Sequence, residues 1–124
     1  MIDFTIAGAD DLVRISEMSE MKFSVDTIFF RGKQNDDIIL WFGFKIIGNE
    51  VEILDISAQN DDGNLMFFCG KAGLNALDLS NFRNVFCRNE SLKEILLKLG
   101  FNKDKNNIYR LTLTDDYFKA GCKH

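Results

Sequence analysis

Histidine occurs once in the 124-residue chain, at its last position, and proline does not occur at all. A single terminal imidazole, His124, excludes a histidine-based catalytic triad and a His-rich metal site. Average usage of about 5% would give several prolines; their absence is read as genome composition rather than as a structural signal. There is no run of about 18 apolar residues, so no transmembrane span and no membrane partner is expected. The three cysteines, Cys69, Cys87 and Cys122, are odd in number and lack metal-ligand spacing. Reduced thiols and no metal are expected. Basic charge is also scarce: the net charge is -4 and the pI about 4.9. That excludes broad nucleic-acid binding, which needs concentrated positive charge. The short run Lys103, Asp104, Lys105 mixes signs and reads as a solvated turn. The opening MIDFTIAGADD has early acids and no basic segment, unlike a signal peptide, so a cytoplasmic protein is expected.

Apolar residues are plentiful. They make up 46% of the chain and include 12 Phe, enough for a sizeable core in one domain over residues 1–124. Residues 2–7 alternate as a first strand. Asp10 or Asp11 can cap a helix with Leu12, Ile15, Met18 and Met21 on one face. Residues 22–31 are ambiguous, with strand character over 27–31, and 32–37 read as a turn. Residues 38–47 form a strong strand, Gly48-Asn49 a tight hairpin turn, and 51–58 the returning strand. After a loop at 59–64, a helix over 65–79 carries Leu65, Phe68, Ala72, Ala76 and Leu79 on one stripe. Gly70 and Gly73 weaken it by about 1 kcal/mol each relative to Ala, and let it lie close against a sheet. Residues 85–88 are a short strand, 108–114 a last strand, and Asp115 onward a frayed tail. The order, β-α-β-β-α-β-α-β, predicts an α/β fold with a mixed sheet and helices on both faces.

The stretch NESLKEILLKLGF, residues 89–101, is the most informative. Asn89 is a good N-cap, and Glu90 and Glu94 put negative charge near the helix start. Leu92, Ile95, Leu96 and Leu99 form an apolar face, and Gly100 stops the helix. In order and spacing, Asn89, Lys98, Leu99, Gly100 and Phe101 match the C-terminal signature of the GNAT N-acetyltransferase superfamily, with Leu92 and Ile95 in its small and leucine positions. The resemblance covers roughly residues 38–114.

The resemblance implies a GNAT-like fold and transfer of an acyl group from acetyl-CoA to an amine, here unidentified. It implies that the strand at 51–58 holds the pantetheine arm through Ile56, Ser57 and Ala58, with Gly63, Asn64 and Asn89 as further cofactor contacts. Asp55 or Glu52 is then the base that deprotonates the amine; strict alternation places the two on opposite faces. Alternatively, Glu52 faces solvent and Asp55 bonds locally. Two features depart from the family. Leu96 stands where a tyrosine usually protonates the leaving thiolate. Met66 and Phe68 fall on the glycine positions of the phosphate loop, and Asp61 and Asp62 put carboxylates beside it. One of these aspartates is expected to cap its own helix and so fill the anion site. Cys87 reads as a buried small residue rather than a nucleophile, and Tyr109 as a remote substitute for the missing acid. The competing reading is a non-catalytic module of the same fold, with Phe29, Phe30, Trp41 and Phe42 exposed as a surface for a partner or a second copy; their other reading is ordinary core.

Overall fold

A long hairpin organises the molecule. In the computed structural model, which describes residues 1–115, 117 and 118, the apolar run of β3 (Asp37–Ile47) turns at Gly48-Asn49 and returns as β4 (Glu50–Ala58). Gly48 has φ +64° at the first turn position, the type II′ arrangement that matches strand twist. Before β3 come β1 (Asp3–Ile6), α1 (Ala9–Met18) and β2 (Ile28–Gln34). After β4 come a 3₁₀ turn (Gln59–Asp61), α2 (Gly63–Leu79) and β5 (Asn84–Cys87). A second 3₁₀ turn (Glu90–Leu92), α3 (Lys93–Leu99), β6 (Asn102–Lys103) and β7 (Tyr109–Thr112) follow. The sheet order is β1-β2-β3-β4-β5-β7-β6. Its strands are antiparallel except β4 and β5, which run parallel across the α2 crossover.

The two faces carry different cores. On one, Phe42 and Phe44 of β3, Val51, Ile53, Ile56 and Ala58 of β4 and Val85 of β5 pack against Leu74 and Leu77 of α2 and Leu96 and Leu99 of α3. On the other, Phe29, Ile38 and Trp41 pack against Ile15 of α1. Gly73 sits directly on the Phe42 ring and Gly70 on Leu99, so of the two α2 glycines only Gly73 brings the helix onto the sheet; Gly70 admits α3. The α/β fold with helices on both faces is as expected. So is the glycine stop: Gly100 has φ +100°, and the Phe101 N–H returns to the Leu96 carbonyl at 3.0 Å.

Several local expectations are corrected. β2 runs on to Gln34, so the turn narrows to Asn35-Asp36, both at positive φ. The cap of α1 is Gly8; Asp11 sits one turn in and accepts the Gly8 N–H at 3.0 Å. Of the α1 stripe only Ile15 is buried, while Leu12, Met18 and Met21 are exposed. The 3₁₀ turn at Glu90–Leu92 takes the first turn of the helix expected at Asn89. Phe29, Trp41 and Phe42 are buried and Phe30 is half-buried against the core, so they form no exposed partner surface. Tyr117, expected in the frayed tail, donates its hydroxyl to the Leu99 carbonyl at 2.8 Å. Cys122 and His124 lie outside the described residues. Among the described residues, no helix is long and apolar enough to cross a membrane and no three His, Cys, Asp or Glu side chains cluster as metal ligands.

Candidate active site

The parallel ladder between β4 and β5 is short. It pairs Glu50 with Asn84 through Ile53 with Cys87 and goes no further. Beyond it, β4 remains paired to β3 up to Leu40–Ala58, so Leu54–Ala58 has a strand neighbour on one side only. Asn89 holds the point of divergence. Its Nδ2 donates to the Leu54 carbonyl at 3.1 Å, and its Oδ1 accepts from Ser91 N at 3.1 Å and Ser91 Oγ at 2.6 Å. The capping role expected of Asn89 is therefore present, and the same side chain also bridges the two strands. Ile56, Ser57 and Ala58 lie on this one-sided stretch, where every second residue turns its backbone groups to the open edge.

A β-bulge lies at the same place. Gly43 faces Asp55 and Phe44 faces Ile53, which leaves Leu54 as the extra residue on β4. The bulge shifts the alternation by one, so Glu52 and Asp55 share a face instead of lying on opposite ones. Their partners agree: Lys45, Gly43 and Trp41 alternate along one face of β3, opposite Glu52, Asp55 and Ser57. The phase slip is visible in the sequence, where the core residues Val51, Ile53, Ile56 and Ala58 step by two, three and two.

The two carboxylates meet different surroundings. Glu52 is 4% exposed, which overturns a solvent-facing placement. It accepts a bidentate pair from Arg88 at 2.8 and 2.9 Å, and Lys45 Nζ lies 3.8 Å away. Asp55 accepts one hydrogen bond from Trp41 Nε1 at 2.9 Å. Burial pushes its carboxyl above the usual range, against the opposing pull of Trp41 and the Ile56 N–H. A half-buried carboxyl with raised proton affinity and, among the described residues, no ion-pair partner suits a base; a carboxylate locked in an ion pair suits a scaffold. Trp41, expected on an exposed surface, and Arg88 carry no local signal for these roles, because each meets its carboxylate only once the strands are aligned.

The remaining candidates are engaged elsewhere. Leu96 is fully buried between the helices and the sheet and has no proton to give. Tyr109 is buried, and its hydroxyl lies 3.1 Å from both oxygens of Glu90. Burial first, then Glu90, raises its pKa. Cys87 is buried and its thiol is pushed up to about 11, mainly by burial, so it stays protonated. Cys69 donates its Sγ–H to the Trp41 carbonyl at 3.2 Å.

Where the wedge opens, β4 leads into Gln59–Asp61 and α2, and β5 leads into Asn89 and Glu90–Leu92. Between them lies a groove of about 400 Å³, lined by Asp61, Gly63, Met66, Glu90, Lys93 and Lys98 among others. Gly63 is thus at the groove, but the Asn64 N–H is already used. Asp62 caps α2, and its Oδ1 accepts from Asn64 N at 2.9 Å and Leu65 N at 3.1 Å. Of the two large residues expected to obstruct a phosphate wrap, Met66 lines the groove and Phe68 turns away, edge-on to Phe4.

No protein-family model and no curated protein sequence matches the chain. Solved structures do. The ribosomal-protein-S18-alanine N-acetyltransferase of Escherichia coli superposes with TM-score 0.70 at 13% identity, over 92% of this chain and 95% of that one. A GNAT-family acetyltransferase of Staphylococcus aureus Mu50 gives 0.67 at 12% identity, over 92% and 100%. A GNAT-family acetyltransferase of Elizabethkingia anophelis, solved with acetyl-CoA bound, gives 0.66 at 11% identity, over 90% and 98%. By these superpositions the chain has the fold of the GNAT N-acyltransferases.

Proposed function

We propose that the chain is an N-acyltransferase that moves an acyl group from a pantetheine thioester, such as acetyl-CoA, to an amine, with Asp55 as general base. The observation that carries this reading is the early end of the β4–β5 ladder at Ile53–Cys87, which leaves a strand edge free beside a bulge. The amide-bearing pantetheine arm fits such an edge, because every second residue of Leu54–Ala58 turns its backbone N–H and C=O away from β3 and can hydrogen-bond it as a neighbouring strand would. The phosphates fit the start of α2 poorly, because Asp62 occupies the amides of Asn64 and Leu65.

When bound, the thioester supplies an acyl carbon activated for attack. Asp55 would take the proton of the attacking amine as the carbon–nitrogen bond forms, with Trp41 holding one carboxylate oxygen in place. The carbon–sulfur bond breaks as the electron pair leaves on sulfur. Leu96 cannot protonate it, so the thiolate takes its proton from water. Glu52, tied to Arg88, would hold β4 and the segment after β5 in register rather than exchange protons.

The competing reading is a non-catalytic module of the same fold, favoured by Leu96 and the Asp62 cap. Titration with acetyl-CoA and with acetyl-pantetheine separates the two. A donor at 100 times its Kd should stabilise the protein by about 2.7 kcal/mol, and a free-thiol assay over a panel of amines should then show turnover. No thermal shift with either donor at millimolar concentration would leave the non-catalytic reading standing.

A further inference from the structure

The wedge and the groove outside it are chemically mismatched as a site for a single nucleotide-bearing donor. Whatever extends from the wedge enters the groove, because the chain segments flanking its mouth, Gln59 to Gly63 and Asn89 to Ser91, lead directly from β4 and β5. The lining there carries Asp61, Glu90 and Glu94 against Lys93 and Lys98, three negative charges to two positive. Asp62 adds a fourth carboxylate, placed on the amides of Asn64 and Leu65, and Lys103, paired with Glu90, a third cation, so negative charge still leads by one. Glu90 is held by the Tyr109 hydroxyl and by Lys103 at 3.5 Å, so it is a fixed feature of the wall. A diphosphate entering this groove finds the Asn64 and Leu65 amides of α2 already taken and meets an excess of like charge.

Resting on the acyltransferase reading, we infer that this protein recognises its donor by the acyl-pantetheine arm alone, and that Asp62 is the residue that excludes recognition of the nucleotide diphosphate. The substrate class is then the acyl-pantetheine thioester, whatever its remote end carries. The nucleotide of a coenzyme A donor lies over the groove without adding affinity.

The test compares the Kd of acetyl-CoA with that of S-acetyl-pantetheine by calorimetry at one ionic strength, using the full chain. The two should agree within about tenfold. Acetyl-CoA binding more than about tenfold tighter overturns the inference and leaves the acyltransferase reading intact. If neither donor binds, the acyltransferase reading itself fails and the inference with it. Asp62→Gly keeps a residue suited to the cap position while freeing the amides of Asn64 and Leu65. It should tighten acetyl-CoA by about fivefold or more and leave S-acetyl-pantetheine unchanged. Asp62→Asn keeps the cap hydrogen bonds and removes only the charge; it should tighten acetyl-CoA at low salt by about twofold, even if the glycine variant folds poorly. Unchanged acetyl-CoA affinity in both variants would overturn the role given to Asp62.

Discussion

The Asn89 side chain donates to the Leu54 carbonyl at 3.1 Å, where the β4–β5 ladder has ended and the bulged residue would otherwise leave its carbonyl unmatched. One side chain therefore fixes the width of the wedge and starts the helical segment that follows, since its Oδ1 also receives Ser91 N. Asn89→Ala removes both contacts and should cost about 1–3 kcal/mol. Asn89→Asp keeps an acceptor for Ser91 but cannot donate to Leu54, so it should recover only part of that loss. Denaturant melts of both variants check this. Equal stability of the aspartate variant and the wild type would mean that the Leu54 bridge contributes nothing.

The two α2 glycines make different contacts, and their substitutions should separate accordingly. A Cβ at Gly73 would meet the ring of Phe42, which is fully buried and has no room to move. Overpacking there should cost about 1–3 kcal/mol. At Gly70 the Cβ would meet the branched end of Leu99, a flexible side chain that can turn aside where a flat ring cannot, while the gain in helix propensity, about 1 kcal/mol, applies equally at both positions. Gly73→Ala should therefore melt well below Gly70→Ala. The reverse order would show that Leu99, not Phe42, is the stiffer neighbour.

Much of the fold was legible because its signals are local. Gly48-Asn49 and Gly100 set turn and stop through their own backbone conformations, and the apolar run of residues 38–47 marks a strand without reference to anything distant. The helix expected over 65–79 is present, but it buries Cys69, Gly73, Leu74 and Leu77 rather than the stripe through Phe68 and Leu79, which are exposed. The candidate site was less legible because it is made by register. Glu52 and Asp55 share a face only because Leu54 bulges; strict alternation misses this, and the only local trace of it is the adjacent apolar pair Ile53-Leu54 that breaks the period of two. Arg88 reaches Glu52 across 36 positions and Trp41 reaches Asp55 across 14, contacts that exist only once the strands are aligned. The Asp62 cap is the opposite case: it follows from the aspartate's position just before the helix, and the structure places it there.

Asp11 anchors α1 to the sheet electrostatically. It is buried and meets Lys33 Nζ at 2.8 Å, Arg31 Nε at 3.1 Å and the Gly8 N–H at 3.0 Å. The Lys33 contact leads in holding its carboxyl well below the usual carboxylate range, outweighing burial. A folded pKa depressed in this way contributes stability that is present above the unfolded value, about 3.9, and is lost as pH falls through the folded one. Asp11→Asn should cost about 1–3 kcal/mol at pH 7, because Lys33 loses its carboxylate and Arg31 keeps only Asp3. The gap from wild type should stay flat from about pH 8 to pH 5 and shrink below about pH 4. A gap independent of pH down to the acid transition would assign the loss to packing rather than to charge.

Asp55 gives the opposite sign, and with it a way to separate catalysis from structure. Its folded pKa is raised, first by burial, so between the unfolded value of about 3.9 and the folded one the native state holds the extra proton. The stability it contributes is present below the unfolded pKa and is lost as pH rises through the folded pKa. Asparagine cannot ionise, and its Oδ1 can still accept from Trp41 Nε1. Asp55→Asn should therefore be at least as stable as wild type at pH 7.5, with the difference closing toward pH 3. Its acyl-transfer rate should nevertheless fall by about 10²- to 10⁴-fold, the usual worth of a positioned base. Wild-type turnover should rise with pH through the raised pKa of Asp55 and then level off, while residual turnover in the variant should lack that limb. A variant that loses stability at pH 7.5 yet keeps its rate would make Asp55 a structural partner of Trp41 and move the base elsewhere.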